Sequence, residues 1–96
     1  MLFLKILKVE GDSMYPTIKN GNKTVVSFIP YLFINPKIGD IVIAKHPHKN
    51  IKIIKRITKI QNMKYFIEGD NNESSDSKEF NAIPKNLILA KLILKF

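Results

Sequence analysis

Two segments of the sequence carry side chains with the means to attack a substrate. The first is Gly11-Asp12-Ser13-Met14-Tyr15-Pro16-Thr17, in which a serine follows a glycine-containing bend directly behind an apolar stretch. Glycine at such a bend tolerates unusual dihedrals and lets another backbone come close. Pro16 suits a tight turn or the first turn of a short helix. Ser13 would then stand at a strand-to-turn junction, its hydroxyl exposed and its backbone N–H able to donate to a developing oxyanion. The same heptapeptide also reads as an ordinary Ser/Asp turn or cap, so by itself it leaves both readings open.

The second segment is Ile51-Lys52-Ile53-Ile54-Lys55-Arg56-Ile57-Thr58-Lys59-Ile60. Period-two alternation on a strand puts Ile51, Ile53, Lys55 and Ile57 on one face. A lysine can serve as a general base only as the neutral amine, which means lowering its pKa from ~10.4 toward ~7–8. Desolvation among aliphatic side chains lowers a lysine pKa by up to roughly 3–5. The alternative is a lysine at a sheet edge that snorkels its ammonium to water.

The elements that would hold these residues read as strands joined by turns. β-branched and apolar residues cluster over Leu2 to Val9, Thr24 to Ile29, Asp40 to Lys45, Ile51 to Ile60, Tyr65 to Glu68 and Leu87 to Phe96, with no sustained 3.6-residue period. Turns are marked by Asn20-Gly21-Asn22, Asn35-Pro36 leading to Gly39-Asp40, His46-Pro47-His48 and the polar run from Gly69 to Ser77. This spacing predicts an all-β fold, a small barrel or coiled sheet. At 96 residues the chain is expected to form a single domain over 1–96.

Composition narrows the chemistry. With 45% hydrophobic and 25% charged residues the chain belongs with folded globular proteins and not with disordered ones. The absence of cysteine rules out disulfides, thiolate catalysis and Fe–S clusters. His46 and His48 lack a third ligand at suitable spacing and are read as loop residues, so no metal or other cofactor is expected. The net charge of +8 comes mostly from lysines spread along the chain, read as a solvated surface. It would also favour an acidic substrate, nucleic acid or an anionic membrane.

Taken together, the motifs add what neither segment supplies alone. Gly-x-Ser-Met-x-Pro-Thr (Gly11 to Thr17), Gly-Asp-Ile-Val (Gly39 to Val42) followed by His46-Pro47, Lys-Arg-Ile (Lys55 to Ile57), Gly-Asp-Asn (Gly69 to Asn71) and Ser-x-Asp-Ser-Lys (Ser74 to Lys78) occur in this order. The order resembles the bacterial signal peptidase I family over roughly residues 9–92. The resemblance implies a barrel-like catalytic core and a serine endopeptidase with Ser13 as nucleophile and Lys55 as general base. It implies that Ser74 orients the lysine amine, that Asp70 and Asp76 hold the last box in place, and that Arg56 is their salt-bridge neighbour. Gly11 stands where many leader peptidases have a serine that helps bind the oxyanion. Asp12, Lys78 and Phe80-Asn81 are further departures from the family pattern.

Small stand-alone members of this superfamily, similar to nickel-type superoxide dismutase maturation proteases, match the chain in length and box spacing. Their implied task is removal of a short N-terminal pro-segment from a protein substrate. The opening run Met1 to Val9 is too short to span a bilayer and lacks a cleavage site, which leads to the expectation of a cytoplasmic protein without an integral membrane anchor. Three other readings stand beside this one. They are a leader peptidase for exported preproteins, a self-cleaving domain resembling the LexA repressor, and a basic nucleic-acid-binding barrel using Phe28, Tyr31 and Phe33. Nucleic acid is not the expected partner, because basic residues are not interleaved with those aromatics. The run Phe28 to Ile34 is read as core or as a lip over the core, against an exposed lip that binds substrate or a membrane surface.

Overall fold

Alternation of apolar and polar residues makes nearly half of the described residues strand, and a computed structural model describes the chain over residues 4–71 and 82–96. Seven strands form one antiparallel sheet: β1 (Leu4–Lys8), β2 (Lys23–Ser27), β3 (Ile41–Lys45), β4 (Lys52–Gln61), β5 (Lys64–Glu68), β6 (Ile83–Pro84) and β7 (Ile88–Lys95). Their spatial order is β1-β2-β7-β3-β4-β5-β6, and the sheet curls into a half-barrel. The all-β fold expected from the sequence is the fold observed.

The curl has a local cause. Register shifts fall between Val25 and Val26, between Ile43 and Ala44, and between Ile57 and Lys59. Each unpaired residue raises the local twist and bends its strand. In β7 the shift also lets Ile88 and Ala90, two residues apart, serve different sides. Ile88 pairs with Ala44 and Ala90 with Ile43, neighbours that face opposite ways.

Both faces of the sheet are therefore packed. Val42, Ala44, Ile57, Tyr65, Ile67, Ile83 and Ile88 form one cluster with Tyr31. On the other side Val26, Ile43 and Ala90 form a second, adjoining a third of Val9, Met14, Ile18 and Ile41. Burying each such aliphatic side chain contributes about 1.5–3 kcal/mol, so the turn that holds Met14 and Ile18 is anchored by its own core residues.

The run from Phe28 to Ile34 divides differently from the expectation. A single helical turn, α1 (Pro30–Phe33), occupies the segment read as core or as a lip. Only Tyr31 enters the core, 6% exposed, with its hydroxyl donating to Asp40 Oδ2 at 2.7 Å. Leu32 and Phe33 are 70% and 82% exposed, so most of the run is an apolar lip in solvent and not core. The physical reason is that one turn of helix presents a single side to the sheet, and Tyr31 takes it.

β4 and β5 join through Asn62 and Met63, which have φ of 52° and 62°. Two consecutive residues in this region make the tight turn whose twist matches that of the flanking strands. Asn62 suits the conformation, whereas Met63 carries a side chain that disfavours it.

Candidate active site

The turn after β1 is built around Met14 and Ile18. Ile18 N–H donates to Met14 O at 2.9 Å and Tyr15 N–H to Asp12 O at 3.1 Å, and the Tyr15–Pro16 peptide is cis. Met14 is 1% and Ile18 0% exposed, while Ser13 between Asp12 and Met14 stays half-buried at the rim. Fixing the residue next to Ser13 in the core fixes Ser13. Gly11 adopts φ of +88°, and its N–H donates to Asn20 Oδ1 at 2.9 Å. Open space surrounds the position where a Cβ would stand. The glycine is thus required by its dihedral and not by a close backbone approach.

Lys55 lies in the middle of β4 and is registered opposite Val42. It is 4% exposed. Ile57 is buried and Ile53 half-buried on the same face, as alternation predicts. Ile51, grouped with them from the sequence, lies just outside β4 and is half exposed.

Ser13 and Lys55 line one cavity of about 510 Å³. Two runs of consecutive residues border it, Leu7 to Glu10 and Ile51 to Lys55. Neighbours on a strand point to opposite faces, so a consecutive run can line a space only along the strand's edge. The pairing agrees. β1 is bonded to β2 alone, and β5 pairs with β4 only from Arg56 onward. Among the described residues, Leu4–Lys8 and Lys52–Ile54 each have a second edge that faces no strand. Ile43 and Thr24 contribute to the remaining wall.

Arg56 and the Gly69-Asp70-Asn71 segment clamp the Ser13 turn to β4. Arg56 donates from Nε to Asp70 Oδ1 at 2.9 Å, from Nη2 to Asp70 Oδ2 at 2.8 Å and from Nη1 to Gly39 O at 2.9 Å. Thr17 Oγ1 donates to Asp70 Oδ2 at 2.6 Å. Asn71 N–H donates to Ser13 O at 3.0 Å, and Asn71 Nδ2 to Asp12 O at 2.9 Å. Hydrogen bonds from Arg56 hold the Asp70 carboxyl below its usual range against partial burial, with Thr17 adding to them. The Asp70 bond correspondingly raises Arg56 above its ordinary value.

Ser13, Lys55, Arg56, Asp70 and Gly11 are therefore gathered around one turn and one strand. Ser74 and Asp76, implied by resemblance, lie outside the described residues. Thr17 and Asn71 have positioning roles that the sequence reading did not assign. A threonine and an asparagine inside two motif boxes were the available signal. His46 is buried, and its Nδ1 accepts from the N–H groups of His48 and Lys49 at 3.0 and 3.1 Å. That imidazole closes the loop between β3 and β4.

Comparison with known proteins decides the family. Residues 1–61, including Ser13, Lys55 and Arg56, match the family described as signal peptidase, peptidase S26. The chain belongs to the signal peptidase family. It is similar to mitochondrial inner membrane protease subunit 1 of Xenopus tropicalis, 26% identical over 113 positions covering 95% of this chain and 68% of the relative. The same protein of Mus musculus is 29% identical over 112 positions, covering 94% and 68%. A probable signal peptidase I-1 of Synechocystis is 36% identical over 45 positions, covering 47% of this chain and 22% of that protein. Membership makes this signal peptidase relative a serine peptidase, which implies a protein substrate.

Proposed function

We propose that the chain is a Ser-Lys endopeptidase that removes an N-terminal segment from a protein precursor, with Ser13 as nucleophile and Lys55 as general base. The observation that carries this reading is the 4% exposure of Lys55 in the wall of the cavity that Ser13 also lines. A lysine serving only as surface charge keeps its ammonium in water.

In this reading Ser13 Oγ attacks the scissile carbonyl while its proton passes to the Lys55 amine. The oxyanion forms beside the Ser13 N–H. Collapse breaks the C–N bond, and the Lys55 ammonium returns the proton to the departing amine. Water then attacks the ester, again giving its proton to Lys55, and releases the acid and Ser13. Among the described residues, the edges of Leu4–Lys8 and Lys52–Ile54 along the cavity face no strand, which supports recognition of an extended peptide that pairs its main chain with them and places alternate side chains against the apolar walls.

The precursor of a nickel superoxide dismutase, cut in the cytoplasm without lipid, is the substrate suggested by the resemblance in box spacing. A second reading is favoured by the names of the relatives, mitochondrial inner membrane protease and signal peptidase: cleavage of precursors at a membrane. The purified chain is incubated, with and without vesicles, with that precursor and with a secretory preprotein, and new N-termini are mapped by mass spectrometry. Trimming of the dismutase precursor in the absence of lipid is the expected result. Trimming of the preprotein alone, or only with vesicles, gives the second reading. Undiminished cleavage by Ser13→Ala overturns the Ser-Lys assignment itself.

A further inference from the structure

Two lysines on the border of the cavity face other lysines. Lys8, at the end of β1, is registered directly opposite Lys23, and Lys52, at the start of β4, directly opposite Lys45. Lys8 and Lys52 line the cavity, and Lys52 with Lys5 also borders a smaller one that shares Leu7 and Ile43 with it. Like charges directly opposite on an antiparallel pair repel. All four lysines of the two pairs are exposed, and among the described residues none of them forms an ion pair. Among the described residues, Glu10 is the acidic side chain on the cavity wall, against Lys8 and Lys52.

We infer that the groove selects peptides bearing acidic side chains in the stretch that lies between β1 and β4. The inference deepens the proposed function and rests on it in one respect, that the groove holds the substrate. A carboxylate placed between such lysines relieves their mutual repulsion and gains, in water at about 4 Å, roughly a fivefold preference per contact. The inner wall is apolar, with Leu7, Val9, Ile43, Ile53 and Ile54, so the side chains entering it are apolar and the acidic ones lie at the rim. A polyanion such as single-stranded nucleic acid fits less well. It needs aromatic faces for its bases, and no aromatic ring lines the cavity among the described residues.

The test separates selection from catalysis by using the Ser13→Ala chain, which binds without cutting. Three labelled extended peptides of one apolar sequence, flanked by glutamate, glutamine or lysine, are titrated against it at low ionic strength and at about 0.3 M salt. The glutamate peptide is expected to bind about tenfold tighter than the glutamine peptide at low salt. The lysine peptide should bind most weakly, and the spread should narrow in high salt. Replacing both Lys8 and Lys52 by Gln should flatten the series, and replacing both by Glu should invert it. Equal affinity for the three peptides, or an unchanged series in both variants, overturns the inference, as does tighter binding of a single-stranded oligonucleotide than of the glutamate peptide. Cleavage of the same peptides by the unaltered chain is scored separately. Loss of cutting with the binding series intact counts against the Ser-Lys reading alone.

Discussion

Arg56 and Asp70 meet through two parallel hydrogen bonds, Nε to Oδ1 at 2.9 Å and Nη2 to Oδ2 at 2.8 Å. Arg56 directly follows Lys55 on β4, and Asp70 directly precedes Asn71, which holds the Ser13 carbonyl. The pair thus links the strand carrying the lysine to the turn carrying the serine. With side-chain exposures of 33% and 16%, its value lies in geometry more than in raw attraction. The fork fixes orientation as well as distance.

Arg56→Lys tests that point, because it keeps the charge and loses the fork. One ammonium cannot reach both carboxylate oxygens and Gly39 O in the same geometry. The expected outcome is a loss of about 1 kcal/mol of stability by denaturant titration. kcat should fall more than KM rises, since the misplacement is between Ser13 and Lys55. An unchanged kcat would mean that the clamp is only structural.

Acid should weaken the same clamp. An unfolded aspartate titrates near ~3.9, whereas Arg56, aided by Thr17, holds folded Asp70 lower. Between those two values the unfolded chain binds a proton that the folded chain does not. Stability is therefore complete above the unfolded value and falls as pH drops through the folded one. Denaturant midpoints measured from pH 6 downward should show this slope, and Asp70→Asn should make it shallower.

Much of this arrangement is legible in the sequence, because it rests on local pattern. Alternation in Ile53 to Ile57 gave the face of Lys55, and the six long strands follow from β-branched clusters bounded by turn residues. The Asp70–Arg56 pairing was reached only through resemblance. What was not legible depends on distant partners. Whether Phe33 or Tyr31 is buried depends on Asp40 and the sheet beneath α1, not on the apolar run itself. The edge of Lys52–Ile54 is left uncovered by β5 because β5 is half the length of β4, and that is a property of pairing. Thr17 and Asn71 acquire their roles from contacts more than fifty residues apart in the chain.

Met63→Gly should stabilise the fold. Met63 is 87% exposed with φ of 62°, so its side chain adds little packing while its backbone is in the left-handed region. Glycine relieves a strain of roughly 1–2 kcal/mol and gives part of it back as unfolded-state entropy. A net gain of about 0.5 kcal/mol, or a Tm higher by a few degrees, is expected by thermal unfolding. A lower Tm would count against this turn geometry.

Asn71→Ala removes the side-chain bond to Asp12 O and leaves the backbone N–H bond to Ser13 O as the residue's remaining hold on the turn. Activity on a peptide substrate is expected to fall about tenfold through kcat, a cost near that of one lost hydrogen bond. Asn71→Asp, which cannot donate to Asp12 O and brings a carboxylate to it, should be at least as poor. A change confined to KM would place Asn71 in substrate binding and not in positioning Ser13.

The sharpest test is at Lys55, because arginine should stand in for a lysine that is only structural and should fail as fully as alanine if the lysine is the base. A structural or purely electrostatic lysine is replaced tolerably by arginine, which keeps the positive charge and the long aliphatic stem. A general base is not, since a guanidinium stays protonated at any working pH and cannot take the Ser13 proton. Lys55→Arg and Lys55→Ala should therefore both lose about 10²–10⁴-fold in kcat. Ser74→Ala, removing the hydroxyl that the resemblance assigns to orienting the amine, should lose less. Circular dichroism and denaturant midpoints are measured alongside, because Lys55 is 4% exposed beside Ile53 and Ile57 and either replacement perturbs packing. A folded Lys55→Arg chain that keeps cutting would show that Lys55 supplies charge, and the base would have to be sought among other groups at the cavity.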